Sequence, residues 1–241
     1  MCKQNLIHVC FILDESGSMC SSVQDVIGGF KSVIDKQKEI KDGECLVSLY
    51  KFSTYAKKYF IGKNVNDVDY LEVGEPGGND EKHYYPNGLT AMNDGIGLAI
   101  DEIGEWLDKM PEDEKPEKNM IVVMTDGYEN NSKDYTIDKV REMIKHQQEK
   151  YSWEFVYMGT DITSTEQARN LGFTSSNSAY STRSKLTKNY DLVNTVLSCY
   201  RTTDGDFQLK SAAAASALQA EVNALNEEYK NDTGINVDEN K

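Results

Sequence analysis

The sequence predicts an α/β fold: a doubly wound, mainly parallel central sheet with helices on both faces. Three observations carry that expectation. Two almost wholly apolar runs, Leu6–Leu13 and Met120–Met124, each stop abruptly at a polar, aspartate-bearing turn, as strands covered on both faces do. Amphipathic helical stretches lie between the strand-like runs, giving the order β-α-β and then α-β-α-β. The length of 241 residues, 39% of them hydrophobic and 27% charged, suits one large globular domain, or one of roughly 200 residues with a tail.

Taken in order, the first strand, Leu6–Leu13, runs into Asp14-Glu-Ser-Gly-Ser18. From Ser21 or Ser22 as N-cap, Val23, Ile27, Phe30 and Ile34 recur at helical spacing until Lys-rich residues and Gly43 end the pattern. Cys45–Phe52 alternates as a second strand, and Tyr55–Ile61 as a third, at the edge. Val73–Gly88, with its glycines and prolines, reads as a long loop, and such loops inside compact domains are usually functional. Its Tyr84 and Tyr85 either anchor a partner or pack the loop onto the domain. Met92, Ile96, Ala99, Ile100, Ile103 and Leu107 mark a second helix, and Met120–Met124 is a strand ending at Thr125-Asp-Gly127. A helix through Ile137, Val140 and Ile144 and a strand at Trp153–Met158 follow. The remainder holds a short helix near Thr165–Leu171, a last strand near Phe173 and a closing helix over Ser184–Tyr200.

Past Asp204 the composition shifts. We therefore read residues 1–203 as the domain, with its core at about 5–180, and 204–241 as an alanine-rich helix with a polar tail. Leu218, Val222, Leu225 and Tyr229 form an apolar stripe there that packs on the domain or pairs with another helix; packing, and a monomer, are the expectation.

Charge and composition exclude several classes. A formal net charge of −14 disfavours nucleic acid and anionic membranes, and no apolar run reaches the roughly 18 residues of a membrane span. Met1–Asn5 lacks the pattern of a secretory signal, so a cytoplasmic protein is expected. The five cysteines include no C-x-x-C pair and read as reduced thiols. No nucleophile elbow, P-loop or dinucleotide fingerprint is present, and His8, His83 and His146 are isolated and read as structural.

In a parallel α/β sheet, ligands gather beyond the carboxyl ends of the strands, where strand order reverses. Three loops converge there, offering Asp14, Ser16 and Ser18; Thr90; and Asp126. All are small oxygen donors, which select hard cations: magnesium, with manganese or calcium as alternatives. Alternate residues of an extended segment point the same way, so Asp-x-Ser-x-Ser presents a carboxylate and two hydroxyls together, with Gly17 allowing the turn. The simpler alternative is that Asp14 and Ser16 cap the following helix. Thr160 and Asp161 read as a loop or N-cap rather than an accessory site.

At these residues the chain resembles the von Willebrand factor A (vWA) family. Its metal-ion-dependent adhesion site (MIDAS) has the pattern Asp-x-Ser-x-Ser, then Thr, then Asp, matched here by Asp14–Ser18, Thr90 and Asp126 in that order. The likeness covers about residues 5–160, and departs where Asn87-Gly88-Leu89 stands before Thr90 in place of paired glycines. It implies a Rossmann-like vWA fold of the stand-alone intracellular bacterial or phage type. It also implies a metal held by the hydroxyls of Ser16, Ser18 and Thr90, with Asp14 and Asp126 acting wholly or partly through water. The implied function is a non-enzymatic protein-binding module whose magnesium ion takes a Glu or Asp of a partner. The rival is a magnesium-dependent phosphotransferase or phosphatase with Asp14 as nucleophile.

Overall fold

A computed structural model describes residues 2–76, 80–160, 162–174, 177–182, 186–203 and 207–237. Strand β1 (Lys3–Asp14) lies inside a six-stranded sheet, parallel on one side to β2 (Glu44–Phe52) and on the other to β6 (Pro116–Thr125). Beyond β2 comes β3 (Ala56–Asn64), the antiparallel edge, and beyond β6 come β7 (Glu154–Gly159) and β8 (Ser178–Tyr180), both parallel. The sheet order is β3-β2-β1-β6-β7-β8.

The apolar run in β1 lacks alternation because both of its faces are covered. Ile7, Val9, Phe11 and Leu13 enter one core, with side chains of α1 (Val23–Glu39) and α5 (Thr187–Thr202). Cys10 and Ile12 enter the other, with α2 (Met92–Asp108) and α3 (Ile137–Tyr151). From β1 the chain crosses through α1 to β2 on one side, and later returns through α2 to β6 on the other. Strand order therefore reverses at β1, opening a crevice at the carboxyl ends of β1 and β6. Register sets Leu13 opposite Met124 and Asp14 opposite Phe52, so Asp14 and Thr125-Asp126 leave the sheet side by side.

The long loop contains a small parallel pair of its own, β4 (Glu72–Val73) with β5 (His83–Tyr84). The last strand does not lie at Phe173. Helix α4 (Ile162–Asn170) ends with Gly172 at φ +90°, while Gly172 N donates to Arg169 O and Phe173 N to Ala168 O. Phe173 is thus the apolar residue just past a Schellman cap, packed 5.3 Å from the Tyr157 ring, and β8 begins later. Ser22 precedes α1 but its hydroxyl makes no capping bond, because a 3-10 turn over Gly17–Ser22 leads into the helix. Ser184 and Asp204, named as boundaries above, lie outside the described residues.

Helix α6 (Phe207–Thr233) carries the apolar stripe. Leu218, Val222 and Leu225 join the core beside α5, and Tyr229 packs at 6.2 Å against Tyr180 of β8 on the opposite face. Asn226 sits between them; its amide oxygen accepts from Tyr180 N (3.0 Å) and its amide nitrogen donates to Ser178 O (3.1 Å).

Candidate metal centre

The five oxygen donors named from the sequence meet in the crevice between β1 and β6. Asp14 is fully buried at the end of β1, with Oδ1 accepting from Ser16 N (2.7 Å) and Oδ2 from Thr125 Oγ1 (2.5 Å). Ser16 Oγ and Ser18 Oγ lie 3.0 Å apart, and Ser18 Oγ donates to Asp126 Oδ1 at 2.6 Å. Thr90 reaches the group from the loop before α2. A Cβ built on Gly127 would lie 3.3 Å from Thr90 Oγ1 and 3.4 Å from both Asp14 Oδ2 and Ser18 Oγ. Three chain segments therefore aim oxygens at one small volume, kept open because residue 127 has no side chain.

The set fits a hard divalent cation. It offers two carboxylates and three hydroxyls, without sulfur or imidazole. Asp14 has no lysine or arginine in ion-pair contact among the described residues. Burial, and to a smaller extent the Asp126 charge, push its pKa up to about 6, against hydrogen bonds from Ser16 and Thr125 that favour the carboxylate. A positive ion in the cradle would relieve both effects. No described cluster of three or more His, Cys, Asp or Glu side chains could hold a metal, and the hydroxyl-rich set here is of a different kind.

The loops around the site are laced together. Thr90 N donates to Asn130 Oδ1 (2.9 Å), while Thr90 O accepts from Asn130 N (3.0 Å) and Asn131 N (3.3 Å). The segment around β5 is strapped to the β1 loop: Tyr84 donates its hydroxyl to Asp14 O, Tyr85 N donates to Glu15 Oε1 (2.7 Å), Asn87 N to Glu15 O (2.9 Å) and Gly17 N to Gly88 O (3.2 Å). Buried Lys51 stands behind the strap, donating to His83 O with its ammonium 3.9 Å from Glu15 Oε1. Burial lowers the Lys51 pKa to about 8, against the pull of Glu15.

Several expectations change here. Tyr84 is no surface anchor: it is fully buried and supports the Asp14 carbonyl, while Tyr85 is half-buried. Gly17 has no positive φ, and an added Cβ would meet Gly88 O at an ordinary 3.4 Å. The demanding glycine is Gly88, at φ +76° with Thr54 Oγ1 2.3 Å from where its Cβ would be. Ser16 stands before the 3-10 turn without a side-chain capping bond, so helix capping does not account for it. Thr160 is buried, and Asp161 lies outside the described residues.

Thr125, Gly127 and Asn130 were not singled out by sequence reasoning. For Thr125 the signal was available, since it aligns beside Asp14 at the same strand ends; Asn130 acts through tertiary contact that periodicity cannot reveal. The cysteines are all free thiols, and no described helix is long and apolar enough to cross a membrane.

Comparison of the sequence with protein-family models and with curated proteins gives no match. Comparison of the fold does. Proximal thread matrix protein 1 from the mussel byssus is similar over 79% of this chain and 46% of its own, with a TM-score of 0.56 and 16% identity. This chain thus spans a little under half of that protein's structure. A further structure of the same protein, with a zinc-occupied MIDAS motif, superposes with a TM-score of 0.53 at 18% identity over 78% of this chain and 44% of that one. The vWF domain of the type V pili tip protein Mfa5 from Porphyromonas gingivalis matches over 84% of this chain and 98% of its own, with a TM-score of 0.58 and 9% identity. At such identities the likeness speaks for architecture, and the architecture of this chain is that of the von Willebrand factor A-type domain, a Rossmann-like α/β sheet.

Proposed function

We propose that the chain is a divalent-metal-dependent protein-binding module, in which Asp14, Ser16, Ser18, Thr90 and Asp126 hold a magnesium ion that takes an acidic residue of a partner. The observation that carries this is the convergence of Thr90 Oγ1, Asp14 Oδ2 and Ser18 Oγ within 3.4 Å of one point above Gly127. When bound, the ion supplies a positive centre with coordination left to fill, and an oxygen anion fits that need. Asp14 and Asp126 provide the charge that holds it, and the three hydroxyls complete the donor set without adding charge. Ser18 is the exposed member and gives access from solvent. Manganese or calcium suits the same donors; zinc enters the comparison because the byssus protein carries it in its MIDAS motif.

The rival, phosphoryl transfer or phosphatase chemistry with Asp14 as nucleophile, is less well supported. Asp14 is fully buried, each of its oxygens already accepts a hydrogen bond, and among the described residues no lysine or histidine contacts it. We therefore read the chain as no enzyme. The free thiols favour a reducing, cytoplasmic setting, and the charge of −14 argues against nucleic-acid and anionic-membrane partners. A monomeric protein of the intracellular bacterial or phage type is our reading.

Titration calorimetry with magnesium and with manganese tests the proposal. One ion per chain is expected, with the heat abolished in Asp14→Asn and Asp126→Asn. Equal heats in wild type and both variants would remove the site from consideration, and Asp14-dependent release of phosphate from a generic phosphomonoester would favour the rival.

A further inference from the structure

Seven large hydrophobic side chains are exposed among the described residues; two of them, Leu89 and Tyr128, sit on loops that build the metal cradle, and a third, Tyr55, sits on a turn bonded to those loops. Leu89 directly precedes Thr90, and Tyr128 directly follows Gly127. Tyr55 ends the short turn after β2, which is tied to the other two loops. Leu89 N donates to Thr54 Oγ1 (3.2 Å), Asn131 Nδ2 donates to Thr54 O (2.7 Å), and Ala91 N donates to Ser53 O (2.8 Å). Tyr55, Leu89 and Tyr128 are 71%, 49% and 51% exposed respectively, so each offers surface to a partner beside the cradle.

The charge at this mouth differs from that of the chain as a whole. The sequence carries a formal −14, yet the exposed residues at the mouth, Ser18, Tyr55, Asn87, Leu89, Tyr128 and Asn130, are all uncharged. The acids that flank the ligand residues in sequence, Glu15 and Glu129, are turned inward, whereas Asp134, later in the same loop, is exposed. Glu15 accepts from Tyr85 N and faces Lys51. Glu129 accepts from Asn93 N (2.8 Å), Asn131 N (2.9 Å) and Ser132 N (2.7 Å) and from the Ser132 hydroxyl (2.7 Å). Lys133, exposed, holds its ammonium 5.5 Å from the centre of the Tyr55 ring, placing a positive charge at the collar's edge. An approaching carboxylate thus meets neutral, aromatic surface first, with Lys133, followed in the chain by exposed Asp134, at its edge.

We propose that Tyr55, Leu89 and Tyr128 form a neutral apolar collar that selects a protein partner presenting Asp or Glu with a large apolar side chain within two residues of it. The carboxylate goes to the centre and the apolar neighbour covers the collar, excluding water from the charged contact. Exposed tyrosines of this kind bring large contact area at small entropic cost, which is why they recur as anchors in interfaces. This rests on the metal-dependent binding proposed above and adds a preference that reading does not contain.

The test uses the full chain, immobilised in magnesium, and phage-displayed linear peptides with a fixed central Asp or Glu flanked by random residues. Enriched peptides should carry Phe, Tyr, Trp, Leu, Ile or Met within two positions of the acid. A synthetic peptide of the enriched sequence should lose about tenfold or more in affinity for Tyr55→Ser/Leu89→Ser/Tyr128→Ser, while the calorimetric heat of magnesium binding shows the cradle of that variant intact. Metal-dependent peptides without apolar preference, or equal affinity for wild type and the triple variant, overturn the collar and leave the metal reading standing. Peptides that bind equally in chelator and to Asp126→Asn overturn the metal reading itself, and the collar with it; absence of any enrichment counts against the collar.

Discussion

Acid should weaken this fold through His8. The imidazole is fully buried between the sheet and Trp106, with Nδ1 3.1 Å from Asn119 Oδ1 and Nε2 2.7 Å from Ser48 Oγ. Asn119 Oδ1 only accepts, so Nδ1 carries the proton and Nε2 accepts from Ser48, whose oxygen in turn accepts from Gly62 N (3.0 Å). The neutral ring is therefore satisfied. Burial lowers its pKa from 6.5 to about 4, with the Asn119 bond opposing weakly. Because the folded value is the lower one, the unfolded chain takes up a proton that the native state refuses. The stability is fully present above pH 6.5 and is lost as pH falls toward 4. At about 1.4 kcal/mol for each pH unit, the loss is about 2 kcal/mol by pH 5 and about 3 kcal/mol at the end of the window. Denaturant unfolding in chelator at pH 7 and pH 5, for wild type and His8→Leu, isolates this from carboxylates titrating nearby. The variant should be less stable at pH 7, having lost its hydrogen bonds, but its curve should fall less between the two pH values by about 2 kcal/mol. Parallel curves would show that His8 is not buried in its neutral form and would refute the reasoning.

Two further outcomes follow from the packing. Gly127→Ala needs no change of backbone, yet its methyl would stand 3.3–3.4 Å from three site oxygens; metal affinity should fall about tenfold or more while the metal-free melting temperature moves by no more than a few degrees, and an unchanged calorimetric titration would place the ion elsewhere. Ending the chain after Thr203 removes Leu218, Val222, Leu225 and Tyr229 from the two cores; at about 1.5–3 kcal/mol for each large buried side chain the shortened chain should not retain a cooperative transition, and a thermal midpoint equal to that of the full chain would show α6 to be an appendage.

The strands β1, β6 and β7 were legible because burial on both faces leaves nearly unbroken apolar runs, β2 by its alternation, and α1, α2 and α3 because burial on one face leaves a helical stripe. The site residues Asp14, Ser16, Ser18, Thr90 and Asp126 were nameable for a related reason: each stands where such an element ends, and the fold class fixes which ends meet. What escaped was set by contacts between distant segments. Tyr84 falls in a stretch rich in Gly, Pro and Asn, and nothing local says that its hydroxyl crosses to Asp14 O. Phe173 carries a strand former's side chain, but Gly172 at positive φ bends it back as a helix cap. Asn130 and Glu129 look like ordinary loop polarity, although their oxygens hold the backbone of the Thr90 loop and the start of α2.

The amide of Asn226 has a consequence for how this molecule behaves among its own copies. An outermost strand normally leaves a row of donors and acceptors open, a template on which another chain can add. At β8 the outward-facing Tyr180 N and Ser178 O are already taken by one side-chain amide, which imitates a neighbouring strand for the length of a single residue pair. The opposite border is guarded by chemistry of another kind: β3 sets the exposed pair Lys57 and Lys58 near its start, ahead of the half-buried Tyr59, Phe60 and Ile61. A sheet closed at one margin by an amide and at the other by lysines resists growth into fibres and exchange of strands between molecules. Asn226→Ala would reopen one margin, and aggregation on storage, rather than lost binding, would be its first symptom.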